Sequence, residues 1–343
     1  MVSPQVGERS TDAHYMQRAM LAGEASRGRT APNPWVGCIV VSGTDPQIAF
    51  EGATAPPGGP HAEVTALAQA GPLHAEGATL FTTLEPCVHQ GRTPPCTDAI
   101  VAAGVTRVVI GIEDPDPHVA GQGVAALRRA GLDVTVGVEA AGVTEQLAPY
   151  LKHRTTGHPW VIMKLAASLD ARTAAPDGSS RWITGAEARQ DVHKLRARCD
   201  AILVGAGTVR TDDPELTVRL EGDAAVDSNA RQPLRVVLGQ APAGAKVHPA
   251  LELSGDLGDV LTELGQRGIL QLLVEGGPTV AHAFHQAGLV DRYVLYLAPA
   301  LFGGDDGRPL FAGPGAPTID ALWRGKLVSV ERLGEDLRVE VAA

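Results

Sequence analysis

The chain has 343 residues, 44% hydrophobic and 20% charged, which excludes a disordered chain and exceeds one ordinary core, so two domains are expected. A net charge of −10 with only 4% aromatic residues excludes a general nucleic-acid surface, which needs basic channels and stacking rings. A phosphorylated ligand must then find local Arg or Lys against the global field.

In chain order, residues 12–25 read as a helix with Thr11 or Asp12 as N-cap. The apolar run at 37–41 reads as a buried strand that contains Cys38. A helix over 61–70, entered through Pro56-Pro57-Gly58-Gly59-Pro60, places His61 and Glu63 in its first turn, near the positive end of the dipole. Strands at 79–83 and 105–111 and a helix at 123–130 follow, with Cys87 just past the first of these strands. The alternation predicts an α/β/α layered domain with a largely parallel sheet over residues 1–145. A short helix at 145–154 leads through a linker, 146–158, to a second domain over 159–343 that opens on Trp160-Val161-Ile162-Met163-Lys164-Leu165.

No apolar run reaches 18 residues, and no basic segment leads into an apolar one at the amino terminus, so neither a membrane span nor a signal peptide is expected. Four cysteines make no disulfide framework, and this usage fits a reducing, cytoplasmic setting. Cys199, after a basic helical segment, reads as a structural thiol.

His61-Ala62-Glu63 followed by Pro86-Cys87 and Cys96 carries the most chemistry. One imidazole and two thiols hold Zn²⁺ with a fourth position left for water, whose pKa the metal lowers. Glu63 is then the catalytic acid that moves protons from the attacking water to departing ammonia, the division of labour of H-x-E…P-C-x-x-C deaminases. The competing reading is a structural zinc site closed by a fourth ligand, for which His89 is the obvious candidate. Such a site has no use for Glu63.

The second thiol follows after eight residues instead of two, in Glu85-Pro86-Cys87-Val88-His89-Gln90-Gly91-Arg92-Thr93-Pro94-Pro95-Cys96. This run closely resembles the deaminase of riboflavin biosynthesis. Pro32-Asn33-Pro34-Trp35-Val36-Gly37-Cys38 and the segment from Asp114-Pro115-Asp116-Pro117 to Gly121-Gln122-Gly123 look like two more motifs of that family. The resemblance covers most of residues 12–125. It implies a cytidine-deaminase-like domain, with zinc on His61, Cys87 and Cys96. By it, Asn33 and the loop around His89 position a phosphorylated pyrimidine, and Arg92 reaches its phosphate.

In the second half, strands at 201–204 and 269–274 each run into glycines and a probable helix start, where a phosphate can approach the backbone. Pro278 suits a first helical position. A plain strand-to-helix turn is the bland alternative, and the first turn lacks the third glycine of a dinucleotide fingerprint. The segments Lys164 to Asp170, Trp182-Ile183-Thr184, Asp212 to Arg219 and Glu275-Gly276-Gly277-Pro278 resemble the reductase of the same pathway, over most of 160–310. This implies a dihydrofolate-reductase-like α/β domain that uses NADPH to reduce a ribosyl side chain to ribityl. By the same resemblance Ala166, Trp182, Thr208, Asp212, Gly277, Pro278, Thr279, Val280, Ala281, His282 and Ala283 line the cofactor. Ser180, Arg196, Leu216, Arg219 and Glu275 hold substrate, and Lys164 is the catalytic proton donor beside the sugar.

Bland readings stand beside these: Arg196 on a solvated helix face, Trp182 in the core, Asp212 and Asp213 capping a loop. Lys164 is expected to point from a strand towards the cleft or solvent. The sequence departs from the family at Gly239-Gln240, where Asp-Ser is usual, at Ala300, and over 241–258, which reads as lacking a strand. These departures bear on NADPH affinity. They leave open a second reading: a zinc deaminase of another base with a weak or inactive nucleotide-binding second half. The resemblance implies a homo-oligomer, a dimer or larger.

Overall fold

The computed structural model describes residues 6–89, 94–117, 119–220 and 232–343, with side chains from residue 11 onward. It divides into two compact units, Met1–Gly157 and His158–Ala343.

The first unit is built on a five-stranded sheet in the order β2-β1-β3-β4-β5, formed by β1 (Gly37–Val41), β2 (Ala49–Ala53), β3 (Thr79–Leu84), β4 (Arg107–Ile112) and β5 (Asp133–Val136). β1 is buried along its whole length, as its unbroken apolar run requires of a strand covered on both faces. α1 (Val6–Glu24) and α5 (Ala140–Thr156) pack on one side, and α2 (Ala62–Ala75), α3 (Cys96–Ala102) and α4 (Gln122–Arg129) form the other layer.

The sheet is less parallel than expected, because β1 runs against both β2 and β3 while β3, β4 and β5 are parallel. That reversal gathers the site. The start of β1 and the ends of β2, β3 and β4 lie at one edge, so Asn33, His61, Cys87 and Asp114 all leave the sheet together.

α1 begins before Asp12, so Asp12 is no cap. Its carboxylate instead takes both ends of the Arg107 guanidinium, at 2.6 and 2.9 Å, and pins α1 to β4. Residues 146–156, expected in the linker, belong to α5, which ends on Gly157 in the left-handed conformation. The helix accommodates Pro149 and buries Val143, Leu147 and Tyr150.

The second unit has an eight-stranded sheet in the order β10-β9-β8-β11-β6-β12-β15-β14. The six strands from β10 to β12 in that order are parallel: β6 (Trp160–Ser168), β8 (Ala201–Gly205), β9 (Leu234–Leu238), β10 (Leu251–Leu253), β11 (Gln271–Val274) and β12 (Arg292–Ala298). An antiparallel hairpin, β14 (Lys326–Leu333) and β15 (Asp336–Ala342), closes one edge, and β7 (Arg172–Ala174) pairs with β13 (Arg308–Pro309) apart.

Alternate residues of β6 face different cores. Val161, Met163 and Leu165 pack with α8 (Leu257–Gln266) and α9 (Pro278–Gln286), while Ile162 packs with α6 (Ala186–Ala197) and α7 (Ala206–Asp212). β10 corrects the expectation of no strand between 241 and 258: Leu251 to Leu253 pair in parallel with Val236 to Leu238. Buried Asp200 accepts the backbone N–H groups of Leu270 and Gln271, both at 3.0 Å, and so fixes the entry of β11 beside β8. No described helix is long and apolar enough to cross a membrane.

Candidate active sites

His61 is the N-cap of α2 and Cys96 the first residue of α3, so an imidazole and a thiol stand at two helix starts, where the dipole favours thiolate. Cys87 follows β3, and its sulfur accepts the Cys96 backbone N–H at 3.4 Å. His61 Nδ1 lies 3.3 Å from Cys96 Sγ and 3.6 Å from Cys87 Sγ. Tetrahedral zinc, with bonds of about 2.0 Å to nitrogen and about 2.3 Å to sulfur, sets such atoms about 3.5 Å apart. The three residues therefore fit the ion.

The hydrogen bond from Cys96 is the main cause that pushes the Cys87 thiol down to about 4, and His61 adds to it. The same bond, with burial, holds Cys96 far above its ordinary value. A divalent cation bound here needs both sulfurs deprotonated. Among the described residues no fourth side chain joins this cluster. His89 is exposed and stands on the wall of the adjoining cavity instead. The closed, structural reading is not what the geometry shows.

Glu63 lies in the first turn of α2, 4% exposed, with Oε2 at 3.5 Å from Cys96 Sγ. Burial raises its carboxyl above the ordinary range. It faces a cavity of about 130 Å³ that Asn33, His89, Asp114 and Asp116 also wall. Arg92 lies outside the described residues.

Sequence reasoning gave no role to three residues that build this cavity. Buried Glu85 accepts the backbone N–H of Asp114 (3.2 Å), Gly121 (2.9 Å) and Val124 (3.0 Å), which ties the 114–124 segment to the Cys87 loop. Gly123 is part of that joint, since a Cβ there would lie 2.2 Å from the Pro86 carbonyl oxygen. Tyr150 donates its hydroxyl to Asp114 Oδ2 at 2.9 Å, and Arg154, one turn further along α5, stacks on the Tyr150 ring. The only available signal was their spacing of four on one helix.

In the second unit a cleft of about 780 Å³ opens at the carboxyl ends of β8, β9 and β11. Of the sequence-marked residues, Lys164, Ala166, Ser180, Thr208, Asp212, Glu275 and the run Gly277, Pro278, Thr279 and Val280 line it. Gly277 caps α9 without a side-chain bond, and Pro278 takes the first helical position. A Cβ on Gly276 would lie 2.6 Å from Val280, so the tight turn at the cleft floor needs glycine. Gly239 and Gln240 also line the cleft, at the position of the usual Asp-Ser pair.

The remaining marked residues are elsewhere. Ala281 is fully buried in the core, and His282 and Ala283 continue α9 away from the lining set. Trp182 is 71% exposed, with the Arg189 guanidinium 4.6 Å from its ring, so it is not a core residue. Leu216 is buried, and Arg219 is exposed with its guanidinium on Glu215 and Thr217.

Arg196 is neither solvated nor in the cleft lining. It grips Glu275 with two bonds of 2.6 and 2.9 Å from behind. Burial alone would raise the Glu275 carboxyl, but Arg196 outweighs it and holds Glu275 below its ordinary range. Lys164 Nζ stands 3.9 Å from Glu275 Oε2. Burial lowers the lysine pKa, Glu275 opposes that shift, and Arg196 adds to it.

A zinc deaminase and a nucleotide-dependent reductase are the classes that these two sites define. Residues 9–112 match the cytidine and deoxycytidylate deaminase zinc-binding region, and residues 159–339 match the RibD C-terminal domain. The chain is 40% identical to the riboflavin biosynthesis protein RibD of Escherichia coli, over 95% of this chain and 98% of that protein. Among solved structures, form 1 of Acinetobacter baumannii RibD superposes with a TM-score of 0.91 at 39% identity, covering 97% of this chain and 99% of that one. The diaminohydroxyphosphoribosylaminopyrimidine deaminase/5-amino-6-(5-phosphoribosylamino)uracil reductase of Thermotoga maritima gives 0.86 at 33% identity, covering 98% and 99%. The chain belongs to the RibD family of bifunctional riboflavin biosynthesis enzymes. It is both a hydrolase and an oxidoreductase, with Zn²⁺ and NADPH as its cofactors.

Elemental analysis of the purified chain checks the metal set. His89→Ala should retain one zinc per chain, whereas Cys87→Ala or Cys96→Ala should lose it. Zinc lost with His89 would make that residue a ligand.

Proposed function

We propose that the first unit hydrolytically deaminates 2,5-diamino-6-ribosylamino-4(3H)-pyrimidinone 5′-phosphate, and that the second reduces the ribosyl side chain of the product to ribityl. The observation that carries the first half is Glu63, buried and 3.5 Å from a ligand sulfur at the wall of a base-sized cavity. Zinc held by His61, Cys87 and Cys96 would polarise a water for attack. Glu63 takes the proton of that water and delivers it to the leaving amino group, a role that its raised carboxyl suits. Asn33 and His89 orient the ring.

In the second unit NADPH supplies the hydride. Ser180 and Glu275 hold the sugar end, the start of α9 offers its N–H groups to the cofactor phosphates, and Lys164 gives a proton as the ribose ring opens. The fixed Arg196–Glu275 pair keeps the acid ionised opposite Lys164.

The whole chain acts as a homo-oligomer in the cytoplasm on this reading. Leu327, Val328 and Val330 on edge strand β14 are 45–60% exposed, an apolar edge of the kind that a second copy covers. None of its four cysteines forms a disulfide, in keeping with a reducing compartment.

Supplying the ribotide and NADPH together, and following ammonia and NADPH absorbance, tests both halves. Glu63→Gln should keep zinc yet slow ammonia release by at least about 100-fold. Ammonia without NADPH oxidation would leave the deaminase and remove the reductase. Because Lys164 must be protonated to donate, reduction should fall as pH rises through its lowered pKa, on an alkaline limb below the ordinary lysine range. Lys164→Met should abolish that limb along with most of the rate, and a profile flat to pH 10.5 would exclude the role. Sedimentation of the intact chain should give a dimer or larger, and Val330→Glu should shift it towards monomer.

A further inference from the structure

The deaminase cavity poses a charge problem. Glu63, Glu85, Asp114 and Asp116 are on its wall, in a chain of net charge −10, yet the proposed substrate brings a phosphate dianion. At about 130 Å³ the cavity is smaller than the ~300–1,000 Å³ of pockets that enclose a drug-sized ligand. It takes the pyrimidine ring and leaves the ribose phosphate at the rim.

Arg154 is the one Lys or Arg among the described residues of this wall. Its position is fixed from several sides. The guanidinium carbon lies 5.1 Å from the centroid of the Tyr150 ring, and that ring is itself held by its hydroxyl on Asp114. Its contacts with carboxylate and carbonyl oxygens are long. Nε is buried with no hydrogen-bond partner among the described residues, the nearest acid oxygen is Asp116 Oδ2 at 3.7 Å, and Nη2 meets Pro32 O only at 3.5 Å. A planar donor fork, held by stacking and with its carboxylate and carbonyl contacts no shorter than 3.5 Å, is arranged for a phosphate.

We propose that Arg154 receives the 5′-phosphate of the deaminase substrate and makes this unit selective for the ribotide over the unphosphorylated riboside. This rests on the deaminase reading above and assigns a specificity-determining residue to it. Stacking on Tyr150 holds the guanidinium ready before substrate arrives, so little side-chain freedom is lost on binding.

The test compares ammonia release from the ribotide and from its riboside, using the full-length, zinc-loaded protein. Arg154→Met should lower kcat/KM for the ribotide about 10- to 100-fold, the scale of one charged hydrogen-bonded contact. The loss should appear in KM and leave the riboside within about twofold. Arg154→Lys, which keeps the charge without the fork, should retain an intermediate ribotide preference, and it decides the matter alone if the Met variant does not fold. An equal loss on both substrates would mean that Arg154 acts only through Tyr150 and Asp114. An unchanged ratio would place the phosphate on another cation. Either result overturns the assignment while the deaminase stands. If the unmodified protein releases ammonia from neither substrate, the deaminase reading falls and this inference with it.

Discussion

Glu85 sits buried one residue before Pro86-Cys87, and its two oxygens take the backbone N–H groups of Asp114, Gly121 and Val124. Much of the first site depends on this joint, because it makes the loop carrying a metal ligand and the loop carrying Asp114 and Asp116 a single body. A buried carboxylate needs such donors, since its charge is costly to leave unanswered. The second unit meets the same demand differently, with the Arg196 fork on Glu275. Glu63 is the contrast. Among the described residues it has no comparable set of donors, and burial raises its carboxyl, in keeping with the proton-carrying role proposed for it.

The metal centre was legible in the sequence because its parts are local. A proline-led helix start carries His61 and Glu63, and a strand end carries Cys87, so the element pattern puts these near one sheet edge, while Cys96 came from the motif and the resemblance. The reversal of β1 was not legible, since Gly37 to Val41 is apolar throughout and reads alike in either direction. β2 and β5 escaped notice for a related reason: Ala-Phe-Glu-Gly-Ala has no clean alternation, and Asp133–Val136 is only four residues long.

Partners remote in sequence account for the other differences. Asp12 looked like a cap because Arg107 is 95 residues away. The grip of Arg196 on Glu275 was not legible beside its reading as a surface charge or a substrate contact, because Glu275 is 79 residues off. In the run from Gly277 to Ala283, helical geometry turns Ala281 into the core, so an unbroken stretch of sequence cannot all face the cleft.

The edge at which β1 starts and β2, β3 and β4 end has a consequence for how such a site changes over time. Two of the three metal ligands belong to helix starts anchored on the sheet, while Asn33, His89 and Asp114 ride on the connections between elements. Loops accept substitution far more readily than packed helix starts. New ring substituents or a different sugar are therefore accommodated most freely on the Asn33 segment, because Glu85 ties the Asp114 connection to the loop that carries Cys87 and His89. There, chemistry and recognition change together, through one buried carboxylate.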